Sequence, residues 1–498
     1  MFHSLYDDGN LLSLVDNTGT TSFTYDVLNR IKTKTLPDGV VFTTGYDKNG
    51  NLTSFDDGGG TVSYQYDAAN RMTTLTDTNS SQTIYTYDKA NRKTMIQYPN
   101  GTGMKMTYDK AGHELTSIGG AMDINGTFTT TYSSFTYNYK AGSTQTALLQ
   151  SVTLLDPTNW QSGTTLTRQY SYNKLNRLTD AAVFNSNNVK VEDYSYTYDA
   201  AGNRLTSSVL STGVSDSYTY NAANELTTRT EGSTTTTYSY DGNGNLTGST
   251  GGPLLSYNSK NQTKNIGSDT YTYSGPDQRD RVTVNTTTFD YSGLGLSRQT
   301  DSTGTTHYVR CSCGLLNNER TPDGHRHYFL FDGLGSIVGV TKGDGTKENS
   351  YDYDPYGNML HQTEGVTNPW KFAGGFLDSS TGLYKFGTRY DDPTLGRWTQ
   401  QDPVGGSLGD LNAANRYTYA GDDPVNLVDP SGKDALSCIL FPFALALAFL
   451  SFPALGFGVG VVFVLTGGIA GVFALFVAIV AIGFELITLI QLYHGCYG

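Results

Sequence analysis

The 498-residue sequence predicts an all-β fold assembled from repeated hairpins, on three observations. A Tyr-Asp or Tyr-Asn pair keeps returning ahead of a small-residue turn, as in FTYDVLNRI ending at Ile31, YQYDAANRM ending at Met72 and YSYDGNGNL ending at Leu246. The tyrosines Tyr25, Tyr46, Tyr66, Tyr87 and Tyr108 stand 21, 20, 21 and 21 residues apart, the mark of one supersecondary unit stacked many times. Finally, 36 Tyr and 57 Gly stand beside only 14 Pro, a composition suited to strands joined by tight turns.

Each element of the unit has its own reason. In Tyr64-Gln65-Tyr66 or Tyr196-Thr197-Tyr198, aromatic and polar residues alternate with period two, which puts the aromatics on one face of a strand. The following Asp-x-x-Asn/Gly-Arg supplies residues that tolerate left-handed backbone or close side-chain-to-backbone turns. The chain then reverses into a second strand, such as Arg71-Met72-Thr73-Thr74-Leu75. An ordinary β-sandwich would share the alternation but not the fixed spacing.

Further along come YDYDPYGNMLHQ (Tyr351–Gln362), FAGGFLDSSTGLYKFGTRYDDPTLGRWTQQDP (Phe372–Pro403) and NRYTYAGDDPVNLVDPSGK (Asn415–Lys433). With the repeats, this ordered series resembles the RHS (rearrangement hot spot) or YD-repeat family, which includes the shell components of Tc toxins and the extracellular part of teneurins. The resemblance covers roughly residues 1–433, with a repeat array over 1–300 and an RHS repeat-associated core domain over 301–433. It implies a hollow, spiralling β-shell that closes around a C-terminal polypeptide. Modest hydrophobic content, 37%, is compatible with strands that do not bury both faces. Because Tyr6-Asp7-Asp8-Gly9-Asn10 is already inside the pattern, the array is expected to be open at its N-terminal end and to take a plug from another chain.

The composition changes after Lys433. From Cys438 to Leu492 the only formally charged residue is Glu485, and two apolar helices fit, about 439–465 and 469–492. A variable, hydrophobic segment 434–498 that pairs as a transmembrane α-helical hairpin is therefore expected to associate with a membrane. Two readings remain open for it. Either it is a membrane-active effector, the shell's own cargo, delivered in competition between bacteria and neutralised in the producer by an immunity protein; or it anchors a β-repeat surface protein used for adhesion or scaffolding.

The resemblance also implies an aspartic-type autoprotease, in which one ionised carboxylate activates water and a second, protonated, donates to the scissile amide. The matching positions are Asp402 and Asp429, with the cut after Lys433, where family members generally carry leucine. Pro424, Pro430 and Gly432 complete the second motif, Arg397 and Arg416 are candidates to pair with the carboxylates, and Gly406–Ala414 makes the interval between the two motifs long. Asp-Pro-x-Gly is also a good turn by itself, so turn-only and catalytic readings both stand.

Cys311-x-Cys313 and His325-x-His327 form a second constellation. On antiparallel neighbouring strands these four residues would converge on Zn²⁺, although zinc knuckles usually space their ligands more widely. The competing reading is four ordinary strand residues; a Cys311–Cys313 disulfide is expected to be strained and is not anticipated. No phosphate loop or cofactor motif is present. A net charge of −13 disfavours nucleic acid as a partner. Residues Met1–Asn10 carry no secretory signal pattern, so for the expected secreted or cell-surface location a dedicated export machine or a missing N-terminal part is expected to take the protein there.

Overall fold

The computed structural model describes the backbone of residues 2–5 and, with their side chains, residues 9–275, 278–404 and 415–433. The predicted transmembrane pair, 439–465 and 469–492, lies outside the described residues. Within them the chain is all-β, with only short 3₁₀ turns at Trp160–Ser162, Phe372–Gly374 and Tyr419–Asp422. Strands from Phe2–Leu5 to Leu246–Ser249 form one 22-stranded antiparallel sheet, apart from the separate pair Lys140–Ala141 and Thr144–Gln145, and those from Leu255–Tyr257 to Met359–Thr363 form a 12-stranded one. Residue 300, the expected end of the array, falls inside the strand Gly295–Asp301 of the second sheet. A last sheet of four strands follows: Phe376–Asp378, Leu383–Phe386, Arg389–Asp392 and Arg397–Trp398.

The repeat signature is explained by how each turn is tied to its neighbours. In the turn after Tyr66, Asp67 Oδ1 accepts the backbone N–H groups of Ala69 and Arg71, while Oδ2 accepts Arg71 Nε at 2.7 Å. Asn70 takes the left-handed conformation (φ 59°) that the turn requires. Arg71 then reaches forward, donating Nη1 to Asp88 O of the next turn at 3.2 Å with its guanidinium 5.1 Å from the Tyr87 ring centre. The tyrosine reaches backward: Tyr66 Oη donates to Leu52 O at 2.7 Å, and Tyr87 Oη to Met72 O at 2.8 Å. Arg30, Arg92 and Arg177 repeat the forward contact. Each signature tyrosine follows a register shift, such as that between Gln65 and Tyr66, a bulge the period-two pattern did not reveal.

The two large sheets meet directly. Leu75, Tyr85 and Ile96 of the first share one core with Phe329, Leu330, Ile337 and Val340 of the second, so side chains fill the space where these strands face each other. Tyr98 Oη donates to Phe329 O at 2.7 Å and Tyr64 Oη to Arg310 O at 3.0 Å across this seam. Strands Leu316–Arg320 and Ile337–Thr341 are buried at every position, hence on both faces. Trp370, Phe372 and Phe376 are buried in the same core, with Trp370 edge-on to Tyr308 and Phe372 against Tyr353. Tyr356 and Val425 also lie against Leu178, and Leu395 against Leu226, in the later strands of the first sheet.

Candidate functional site

The last sheet and the motifs after it converge on Arg389. The hairpin Leu383–Phe386 to Arg389–Asp392 turns over Gly387-Thr388, and Gly387 (φ 41°) lets the chain 431–432 run across its tip. A Cβ on Gly387 would stand 2.0 Å from Ser431 O. Thr388 N–H donates to Ser431 O at 2.9 Å, and Gly432 O accepts both Arg389 Nε at 2.6 Å and Thr388 Oγ1 at 3.1 Å. Gly432 is itself left-handed (φ 64°), where a Cβ would meet Phe386 O at 2.6 Å.

Arg389 brings the two predicted carboxylates together. Its Nη2 donates to Asp402 Oδ2 at 2.7 Å and to Asp429 Oδ2 at 2.9 Å, and its guanidinium lies 4.1 Å from the Trp398 ring centre. Asp429 Oδ1 accepts the Ser431 hydroxyl at 3.0 Å and the Lys433 backbone N–H at 3.1 Å. Burial pushes the Asp429 carboxyl above its ordinary range, against the downward pull of Arg389 and of the Lys433 N–H. Asp402 is the more accessible of the two, and its Oδ1 accepts the N–H of Val404 at 2.8 Å.

The other predicted residues have different places. Arg416 donates Nε to the carbonyl of Asp402 at 2.9 Å and accepts the Asp402 N–H at 2.9 Å, so it fixes that residue's backbone, not its carboxylate. Arg397 does not pair with either aspartate. It is buried between the rings of Tyr220 and Tyr417 and donates to Asn224 O at 2.6 Å, binding the last sheet to the repeat wall. Pro424 sits in a turn closed by Asn426 N–H on Asp423 O, and Pro430 in one closed by Gly432 N–H on Asp429 O. Arg389 was missed because one arginine looks like another in sequence. Asp391, two residues on along the same strand, was missed too; it is fully buried and neither carboxyl oxygen has a hydrogen-bond partner.

The second constellation does not assemble. Cys311 and Cys313 are joined by a disulfide with a Cα–Cα separation of 5.1 Å, which corrects the expectation that they are unbridged strand residues. They occupy a turn, closed by Cys311 N–H on Leu315 O and Gly314 N–H on Cys311 O, whereas two residues apart in a strand they would stand about 6.6 Å from each other. His325 is exposed and pairs with Asp323; His327 is buried and pairs with Glu348. Among the described residues no group of three His, Cys, Asp or Glu side chains is placed to hold a metal ion.

An antiparallel array of tied hairpins, followed by a small last sheet, is the architecture of a β-repeat protein. The family described as Teneurin YD-shell matches residues 2–119, 114–310 and 299–425, and the chain belongs to it. It is 31% identical over 279 residues to the tRNA3(Ser)-specific nuclease WapA of Bacillus spizizenii, covering 52% of this chain and 12% of that protein. Over 110 residues it is 37% identical to the double-stranded DNA deaminase toxin A of Burkholderia cenocepacia, covering 21% of this chain and 7% of that one. Among solved structures, TcdB2-TccC3 superposes with a TM-score of 0.53 at 18% identity, over 86% of this chain and 24% of that one. The chain thus spans a small part of the length of these relatives, and the structural likeness concerns the fold.

Proposed function

We propose that this chain forms part of a toxin-encapsulating β-shell and that it severs its own C-terminal segment after Lys433. The observation that carries the reading is the bridging of Asp402 and Asp429 by one guanidinium nitrogen, with the Lys433 N–H on the same Asp429 carboxyl. Asp429, raised by burial, holds the proton; Asp402, nearer solvent, takes one from water. The water oxygen adds to the Lys433 carbonyl carbon, Asp429 protonates the amide nitrogen of Asp434, and the bond between them breaks. Arg389 and Thr388 hold the chain at Gly432 O while this happens. Nuclease and deaminase toxins among the relatives support a released C-terminal effector, here the apolar segment 434–498, acting on a membrane. The packed seam between the sheets leaves the enclosure to the rest of the wall.

Intact mass of the purified chain, beside Asp429→Asn and Asp402→Asn, tests the reading. Loss of a piece beginning at Asp434 in the unsubstituted chain alone is the expected result. An uncut chain removes both aspartates from catalysis and leaves the membrane-anchored surface protein, which resists carbonate extraction at full length.

A further inference from the structure

We infer that the Cys311–Cys313 disulfide is a thiol–disulfide exchange site, with Cys313 the sulfur that bonds to an outside thiol and Cys311 the one that resolves it. The position is read from the repeats. In an ordinary turn the aspartate after the strand, such as Asp26, accepts the N–H of the residue two further on through Oδ1 at 2.9 Å. After Arg310 that aspartate is replaced by Cys311, and the link to the residue two further on is a covalent one to Cys313. A cross-link that closes so short a loop removes little chain entropy from the unfolded state, so stapling the fold explains it poorly. The hydrogen-bonded frame of the turn is already complete without it.

The two sulfurs are held in unlike surroundings. Cys311 is buried in the core between the sheets, at 1% exposure, whereas Cys313 is half-buried. Lys93 of the opposite sheet sets its ammonium 3.7 Å from Cys313 Sγ. A cation at that distance favours the thiolate on Cys313 over that on Cys311. The turn between them is clamped: the Ser312 hydroxyl meets Met72 Sδ at 3.5 Å, Arg310 Nη1 donates to Gly314 O at 2.7 Å, and Tyr64 Oη donates to Arg310 O. Reduction by a thiol then runs in two balanced steps. A thiolate attacks Cys313 Sγ, the bond to Cys311 breaks, and Cys311 leaves and takes up a proton. A second thiol attacks the mixed disulfide, releasing Cys313 as a thiolate beside Lys93 and an oxidised thiol pair.

The test uses the full chain and iodoacetamide, with peptide mass mapping that separates these two cysteines from Cys438 and Cys496. Without reductant the peptide carrying Cys311 and Cys313 should stay unlabelled and lighter by two hydrogens than its thiol form. After brief dithiothreitol treatment, Cys313 should be labelled about tenfold faster than Cys311. Lys93→Met should remove most of that difference and Lys93→Arg should keep it, while glutathione disulfide should give a mixed disulfide on Cys313. Free thiols in the untreated chain, faster labelling of Cys311, or a Lys93→Met chain that still exchanges with glutathione and labels Cys313 at the original rate would each overturn the assignment.

Discussion

Arg281 and Asp378 offer the sharpest test of how the last sheet is held. Arg281 is 0% exposed, and its Nη1 donates to both carboxylate oxygens of Asp378 at 2.7 Å, joining the strand Asp280–Val284 to the strand Phe376–Asp378. Its guanidinium lies 4.3 and 4.7 Å from the ring centres of Phe289 and Phe376, while Nε and Nη2 have no hydrogen-bond partner. Asp378→Leu strands a desolvated cation and should cost about 3 kcal/mol; Arg281→Met strands the anion and should cost a similar amount. Replacing both, Arg281→Met with Asp378→Leu, returns apolar groups to an aromatic pocket and should cost no more than about 1 kcal/mol, because the desolvation of both charges is relieved. Urea titration followed by tyrosine and tryptophan fluorescence gives the four midpoints of the cycle. Additive single costs, or an Asp378→Leu chain within about 0.5 kcal/mol of the original, would refute the argument that this pair is held by mutual compensation.

In the repeats, Arg71→Ala loses the bonds to Asp67, Asp88 and Asn91 and should destabilise by about 1–2 kcal/mol in the same titration, with Arg71→Lys recovering less than half of it because a single ammonium cannot span the fork. Glu319, 1% exposed and with Oε1 unpartnered, has its carboxyl pushed up to about 8 by burial. The stability it contributes is complete below the ordinary glutamate range, declines as pH rises, and is gone above about 8; Glu319→Gln should flatten that part of the profile and be the more stable chain at pH 8.5. Gly387→Ala should push Ser431 off the hairpin tip, seen as faster hydrogen exchange at Thr388 and Lys433, and should abolish release of the segment beginning at Asp434.

The hairpin repeat was legible because its period is written in residues that only a tight turn and a stacked neighbour require. The tyrosine spacing, the asparagine and glycine turn positions and the alternation around Tyr64 all survive in the structure. The recurring bulge before each tyrosine was not legible, since an inserted residue leaves no mark on a period-two pattern. Asp402 and Asp429 were found through their motifs, but the group that unites them, Arg389, is brought there by a hairpin over Gly387 that meets residues more than forty positions later. Arg397 and Arg416 resemble it in sequence and differ only in where the fold carries them. The cysteine pair was misjudged for a related reason: a strand was assumed where the repeat places its turn.

Where the signature is complete, as at Tyr66-Asp67 and Arg71, the forward arginine and the backward tyrosine make a hairpin the custodian of both its neighbours. A stretch of wall can therefore be lengthened or shortened only by a whole unit, because any smaller change leaves a tyrosine without its carbonyl and an arginine without its next turn. Between Tyr25 and Tyr108 the wall is accordingly counted in steps of 20 or 21 residues, as bricks count the height of a course.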